Sequence, residues 1–440
     1  MSTFVLLSFF VLLMLIMYGK PEVQFFAIFG CLVLFHDSLL LYQSPEITPY
    51  QIAVGVFFLV EFVKHYQSLK EGWILFPVKI PLLIIFCAIM AISYYHGHFG
   101  HSTYEALRFF IDKYAGIVIG FLCIRNSDED RIPRLFFPII TVFCLFGIVE
   151  FLLNYNYLRA AIFNAFPIIK GTGFGPEGIT AGFGSSSWRY RLSITTKHPT
   201  ALGNLLMVSF LFFLPYIKAN IFPKYKLILF LCFLFLMAYL SGSRTALVCL
   251  ILFSAWYFIN PLSASFKIVF FVAVILIGQQ LVVSFIDDFS QRGGGSSLSL
   301  RQDQLLFSIA SIANEPIFGN GFYYTQQTAL ATDNDGKLLY ENKNEVGGLE
   351  SILFRVLIDQ GLVGLTALFL FFIWIFLYFL TRRNKIPIHA TQGYLITGAS
   401  FLFLLLSGEI GKNTEMCFML IGLCMGLCNQ QKKLINNDIT

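Results

Sequence analysis

The stretch Glu350-Ser351-Ile352-Leu353-Phe354-Arg355-Val356-Leu357-Ile358-Asp359-Gln360-Gly361-Leu362-Val363-Gly364-Leu365 ends a polar loop and begins an apolar run of membrane-spanning length. The first turns of that run nevertheless carry Glu350, Arg355 and Asp359. Ionisable groups at or below a membrane surface are costly unless paired or wet, so they mark a functional region by default. Arg355 and Asp359 stand one helical turn apart and can pair with each other, which suits a supporting role. Glu350 precedes Arg355 by five positions, on a different side of the helix, and is freer to act. Its alternative role is to complement the positive end of the helix dipole.

The composition outside this stretch explains why such charges stand out. The chain has 440 residues, of which 57% are hydrophobic and 12% charged, with 51 Phe. A soluble domain carries about 25% charged residues. Most side-chain surface must therefore face lipid or other apolar helices. Runs near 20 residues fit helices, whereas a barrel would alternate over roughly 10-residue strands. The expected class is an all-α polytopic membrane protein forming a single integral membrane domain over 1–440. The net charge of +5 follows the positive-inside bias, and no basic run interleaved with aromatics points to nucleic acid. The nine cysteines fall in apolar runs and read as small hydrophobes without disulfides.

Hydropathy places spans near 3–18, 23–42, 50–64, 78–95, 105–124, 135–153, 199–217, 226–241, 244–259, 266–286, 351–380, 389–407 and 413–428. That is about 13, within a range of 12–14. No positively charged segment or small-residue cleavage site marks the first run as a signal peptide. Short loops with Lys218, Lys224 and Lys226, with Arg382, Arg383 and Lys385, and with Arg125, Arg131 and Arg134 are expected to be cytoplasmic, as is the C-terminus with Lys432 and Lys433. Two long loops, 155–197 and 287–350, then fall outside, and 13 spans put the N-terminus outside.

These external loops differ in charge. Residues 155–197 hold Arg159, Lys170, Arg189, Arg191 and Lys197 against Glu177 alone. A basic external loop opposes the topological bias, which suits an anionic substrate at the membrane face or, alternatively, anionic headgroups. Six glycines between Gly171 and Gly184 argue against regular helix and for a mobile loop or gate. Residues 287–350 hold four basic side chains against nine acidic ones. Within them, Ser299 to Asn314 has the spacing of an amphipathic helix opened by Arg301, whose other reading is a local ion pair with Asp303. Glu315-Pro316 stops that helix and Gly319-Asn320-Gly321 turns the chain.

Arginine clusters recur where these loops meet helices. Arg244 closes Ser241-Gly242-Ser243-Arg244 at a helix start, where free N–H groups attract anions and a guanidinium adds bidentate donors suited to phosphate. The alternative is snorkelling to the interface. Arg189, Arg191, Lys197 and His198 precede Pro199 at another helix start. Cations beside an imidazole suit a diphosphate, although a single His at a helix start is also a common structural residue. His96, His98 and His101 do not have the spacing of a closed zinc site and read as an exposed turn, so no metal site is expected.

Three patches together resemble the O-antigen polymerase and O-antigen ligase superfamily of bacterial surface-polysaccharide enzymes. One runs from Arg191 through Lys197-His198-Pro199 to Gly203. Another is Ser241-Gly242-Ser243-Arg244-Thr245-Ala246-Leu247. The last runs from Arg301 through Glu315-Pro316-Ile317-Phe318-Gly319-Asn320-Gly321 to Glu350 and Gly361-Leu362-Val363-Gly364. The resemblance implies an inner-membrane glycosyltransferase working on undecaprenyl-diphosphate-linked oligosaccharide, with its active site on the periplasmic side and no metal, cofactor or nucleotide sugar. It further implies that Arg191, Arg244 and Arg301 hold the diphosphate, with Arg189 and His198 beside them. Arg244 would also stabilise charge on the leaving group, and Glu350 would act as base or acceptor-orienting group. Ligases of the family typically have a histidine where this chain has Glu350, which is more like the polymerases of O-antigen, capsule or exopolysaccharide. A ligase moving glycan to lipid A–core or protein is the alternative. A transporter of lipid-linked sugars would more often show repeated halves, and none is found. A flippase and a chain-length regulator are the expected partners, besides the bilayer itself.

Overall fold

The computed structural model describes residues 2–35, 39–43, 46–96, 101–125, 127–166, 168–169, 191–196, 198–219, 221–260, 308–313, 315–322, 324, 351–407 and 412–437. These residues form a helical bundle. Its elements are α1 (Ser2–Tyr18), α2 (Pro21–Leu34), α3 (Pro49–Lys64), α4 (Tyr66–Leu75), α5 (Lys79–Tyr95), α6 (His101–Ile124), α7 (Arg131–Leu153), α8 (Tyr157–Ala165), α9 (Pro199–Phe213), α10 (Lys224–Leu240), α11 (Arg244–Ile259), α12 (Ile352–Arg382), α13 (Pro387–Ser407) and α14 (Asn413–Asn437). Two two-residue antiparallel pairings, Leu39–Leu40 with Ile168–Ile169 and Tyr42–Gln43 with Glu46–Ile47, are the strands among the described residues.

Helix starts follow local chemistry. Thr48 and Gln51 form a reciprocal capping box at α3, with Pro49 in the first position. Ser351 caps α12, and His198 caps α9 ahead of Pro199. By length and composition alone, α7, α12, α13 and the segment from α9 to Lys218 can cross a membrane. The bent pair α3–α4 adds a fifth candidate. Every expected span except 266–286, which lies outside the described residues, contains a helix. Three expectations need correction. The helix expected over 23–42 ends at Leu34, and the chain pairs as strand at Leu39–Leu40. The connection after residue 64 is helix α4, set at 109° to α3. The loop expected from residue 155 begins with α8, which buries Arg159, Ala161, Ile162 and Phe163.

The centre of the bundle is the crossing of α6 and α14. A Cβ on Gly120 would overlap the Met419 carbonyl and lie 2.7 Å from the Leu423 nitrogen. One on Gly422 would overlap the Ile117 carbonyl. Small residues at this four-residue spacing let two backbones touch, which is how helices associate where lipid weakens the hydrophobic drive. Gly116 and Gly120 form that spacing on one helix, Gly422 and Gly426 on the other. Beside this crossing, the rings of Phe136, Phe137, Phe212, Phe213, Phe222 and Phe230 lock α7, α9 and α10 together.

The helix ends sort into two faces. Glu22–Arg131 (3.0 Å), Glu129–His389 (3.6 Å) and the Tyr216–His389 ring contact tie the starts of α2, α7 and α13 and the end of α9 to one end. That end carries the basic short loops expected to be cytoplasmic. The opposite end gathers the loops bearing Arg191, Arg244, Arg355 and Lys412.

Candidate functional site

The site is built on three helix starts, those of α9, α11 and α14, and on a break in α12. Gly242 takes φ +66°, a conformation glycine tolerates, and so turns the chain from α10 into α11. The turn presents the Ser241 and Gly242 carbonyls to Arg191, whose Nε and Nη2 donate to them at 3.3 and 3.2 Å. The Leu192 N–H donates to the Leu240 carbonyl at 3.3 Å. A Cβ on Gly242 would lie 2.8 Å from Arg191 Nε, so glycine here also makes room for the guanidinium. Arg244 opens α11 one residue beyond the turn.

Arg191 and Arg244 are thus brought together. Burial pushes the Arg191 guanidinium below its ordinary value, and the charge of Arg244 adds to the shift. Two cations held together at a helix start favour an anion, which would relieve their repulsion and meet the free N–H groups of α11.

A buried shell positions Arg191. The Glu150 carboxylate at the end of α7 accepts from the backbone N–H of Ser193 (3.1 Å) and Ile194 (2.8 Å). Ile194 sits at φ +51°. For a β-branched residue this is a strained conformation that only surrounding structure can hold. Asn156 caps α8 and donates to the Ile194 carbonyl, while Arg159 donates to Ser193 Oγ at 3.3 Å. Thr195 donates to the Val33 carbonyl at 2.8 Å.

From Arg244 the polar face continues across the bundle. Gly203 of α9 packs against Ser243, whose own Cβ and Oγ an added Cβ would strike. Next to it Asn204 donates to the Asn413 carbonyl at 3.3 Å. Two residues on, buried Glu415 pairs with Lys113 of α6 at 2.7 Å. Lys412 donates to the Phe35 carbonyl and lies 4.8 Å from the centre of the Tyr50 ring. A small cavity of about 30 Å³ lies between Lys113, Thr414, Arg355, Asp359 and Gln360. It has room for one water among polar partners.

Arg355 and Asp359 form the ion pair their spacing predicts, at 3.8 Å. The structure alters their setting. α12 is not one continuous helix: Gly361 has φ +60° and ψ −159°. The carbonyls released by the break are taken by the segment 315–322. The N–H groups of Asn320 and Gly321 donate to the Ile358 and Asp359 carbonyls at 2.8 and 3.0 Å. In return Leu362 and Val363 donate to the Pro316 and Ile317 carbonyls at 2.9 and 3.1 Å. Asn320 Nδ2 adds bonds to the Ser311 and Ile358 carbonyls. Glu315 is tied to α5 by Tyr95, whose hydroxyl donates at 3.1 Å, and Phe318 stacks on the Tyr95 ring. The two ends of the third sequence patch therefore form one knot. Residues 352–360 are a separate helix above it, carrying the charged pair.

His198 spends Nδ1 as the acceptor for the Thr200 N–H at 3.2 Å. Its observed contact is thus a helix cap. Glu350, Arg301 and Arg189 lie outside the described residues, as do Lys197 and the glycine-rich segment 171–184. The sequence reading missed Glu150, Lys113, Lys412 and Glu415. A signal for them existed: Arg108, Asp112 and Lys113 lie inside a segment read as a span, and Lys412 and Glu415 flank the start of another.

Fold and site together define a polytopic helical membrane protein with two guanidinium groups, Arg191 and Arg244, brought together at one end of the bundle. Residues 227–369 match the family model described as O-antigen ligase. The matched segment runs from α10 through the knot and includes Arg244, Arg301, Glu350, Arg355 and Asp359. It supports the O-antigen ligase and polymerase superfamily for this chain without choosing between ligase and polymerase. No curated protein matches the chain.

Proposed function

We propose that the protein is a polymerase of bacterial surface polysaccharide. It would transfer a glycan from undecaprenyl diphosphate to a sugar hydroxyl of a second lipid-linked repeat unit, at the periplasmic face of the inner membrane. The observation that carries this reading is the pairing of Arg191 with Arg244 at the start of α11. The bond from the anomeric carbon to the diphosphate oxygen breaks as the bond to the acceptor oxygen forms. Negative charge grows on the leaving diphosphate, where fixed guanidinium groups stabilise it more than in the ground state. Arg301 would join them from the loop. Glu350, which immediately precedes the cap of α12, would take the acceptor's proton. Arg355 and Asp359 would steady the short helix that follows.

The test is replacement of Arg244 or Glu350 by Ala, with surface polysaccharide resolved on a gel. Loss of long-chain laddering with single-repeat capped core retained is the expected result. Unchanged laddering overturns the assigned roles. The description of the matching family favours a second reading, transfer of finished glycan to lipid A–core or to protein. Under that reading the same variants accumulate lipid-linked polymer.

A further inference from the structure

Away from the site, a groove of about 1100 Å³ opens on the flank of the bundle between α3, α4, α5 and α6. α3 packs on α1 and α2, α5 packs on α6 and α12, and α6 forms the wall between them. The walls are apolar, with Phe58 and Phe62 on one side, Leu83 and Phe86 on the other and Ile111 behind. Gly55 leaves the groove open, since a Cβ there meets nothing within 4 Å.

The two ends of the groove differ in charge. At the site end Arg108 lies between Glu46 (3.0 Å) and Asp112 (3.7 Å), and Gln51 donates to Asp112 at 2.8 Å. The charged groove-lining residues at that end are two carboxylates and one guanidinium. At the other end α4, turned 109° from α3, forms the floor. Its groove-lining residues are Tyr66, Leu69, Lys70 and Trp73. They fall at i, i+3, i+4 and i+7, which is one face of a helix. This face therefore sets a lysine inside an aromatic and apolar stripe. Aromatic rings and lysines of this kind sit at the headgroup level of a bilayer.

The geometry points to a bound anionic phospholipid, with its acyl chains in the groove and its phosphate on Lys70. This site is separate from glycan transfer and does not rest on that reading. A polyprenyl diphosphate with its head at the opposite end would meet Glu46 and Asp112. A transmembrane helix needs about 20 residues and roughly 30 Å of clear path, and the floor made by α4 obstructs one.

The test uses the full-length protein purified in a neutral detergent. Native mass spectrometry reads bound lipid, and titration with phosphatidylglycerol, phosphatidylcholine or undecaprenyl phosphate reads preference. Phosphatidylglycerol is expected to bind and to raise the thermal midpoint, with phosphatidylcholine much weaker. Lys70→Ala should weaken phosphatidylglycerol roughly fivefold, the worth of one basic side chain at an anionic headgroup. Gly55→Leu, whose Cβ meets nothing within 4 Å and whose side chain takes up space that the acyl chains need, should weaken binding at least fivefold while the protein stays folded. Equal binding of both phospholipids, an unchanged affinity in Lys70→Ala, or preferential binding of undecaprenyl phosphate each overturns the proposal. So does a Gly55→Leu protein that keeps its lipid.

Discussion

Replacing Gly361 by Ala should undo the knot between the loop and the broken helix. At φ +60° and ψ −159° the residue occupies a region essentially reserved for glycine, and a side chain there costs about 1–3 kcal/mol. The added Cβ would also lie 2.5 Å from the Ile317 carbonyl oxygen and 2.5 Å from the Gly319 nitrogen. Forcing that overlap on packed backbone costs about 1–3 kcal/mol more. Relief is available only by separating the two segments, which gives up the four backbone hydrogen bonds between 316–321 and 358–363 at about 0.5–1.5 kcal/mol each. Whichever route the chain takes, a loss of about 2–6 kcal/mol follows. Gly55→Ala is the matched control, since its Cβ meets nothing and Ala gains up to about 1 kcal/mol over Gly in a helix. The assay is the thermal midpoint of the detergent-solubilised proteins, read beside polysaccharide chain length in cells. Gly361→Ala should melt several degrees below both the parent and the control and lose long chains. A midpoint equal to the parent's would refute the claim that the break at Gly361 is built around the docked loop.

Other perturbations probe separate parts of the argument. Gly120→Val or Gly422→Leu should prevent the α6–α14 crossing and abolish folded, monodisperse protein in size-exclusion chromatography; normal elution would contradict the backbone contact. Lys113→Ala should destabilise by about 3–5 kcal/mol because it removes the cation 2.7 Å from the buried Glu415 carboxylate, while Lys113→Met with Glu415→Gln should recover much of the thermal midpoint. Arg191→Ala and Arg244→Ala should each lower turnover about 10²–10³-fold, the usual worth of one donor aimed at developing charge, measured on purified lipid-linked substrate. Arg191→Lys should not restore the rate, because a compact ammonium lacks the planar fork that spans both carbonyls through Nε and Nη2 while turning its remaining donors to a ligand. Glu150→Ala leaves two backbone N–H groups without an acceptor at about 1–3 kcal/mol each. It should raise KM more than it lowers stability-limited yield, and Glu150→Gln should partly rescue it.

Much of the helical order was readable because lipid-facing runs carry their own signal. Charged residues were harder to read because their meaning depends on partners distant in sequence. Arg355 and Asp359 could be paired from spacing, since both lie on one helix. Lys113 and Glu415 could not, because their contact requires α6 and α14 to cross. Glu150 looked like an ordinary residue near a helix end. Its role emerges only when the loop bearing Ser193 and Ile194 folds back onto it. The hydropathy of 351–380 hid a break for a related reason. Periodicity does not register a single glycine, and the hydrogen bonds that make the break stable come from residues 316–321.

That break connects fold to proposed chemistry. A continuous helix would carry its carbonyls inward and could not hold a loop at the membrane surface. Stopping at Gly361 leaves acceptors for Asn320 and Gly321, and the loop docks where its own N–H groups are satisfied. The short helix 352–360 that ends at this break begins with Ser351 as its cap, immediately after Glu350. In the sequence Arg301 precedes the knot at 315–322, and Glu350 lies between the knot and the cap at Ser351. The knot thus fixes 315–322 against the break at Gly361. A substitution that loosens the knot should weaken binding of glycan and diphosphate together, whereas loss of Arg244 should act on the diphosphate alone. Comparing Gly361→Ala with Arg244→Ala in binding of undecaprenyl diphosphate with and without its glycan separates the two, because only Gly361→Ala should lose more on the glycan-bearing lipid. Equal losses in both proteins would mean that the knot has no role beyond holding the arginines.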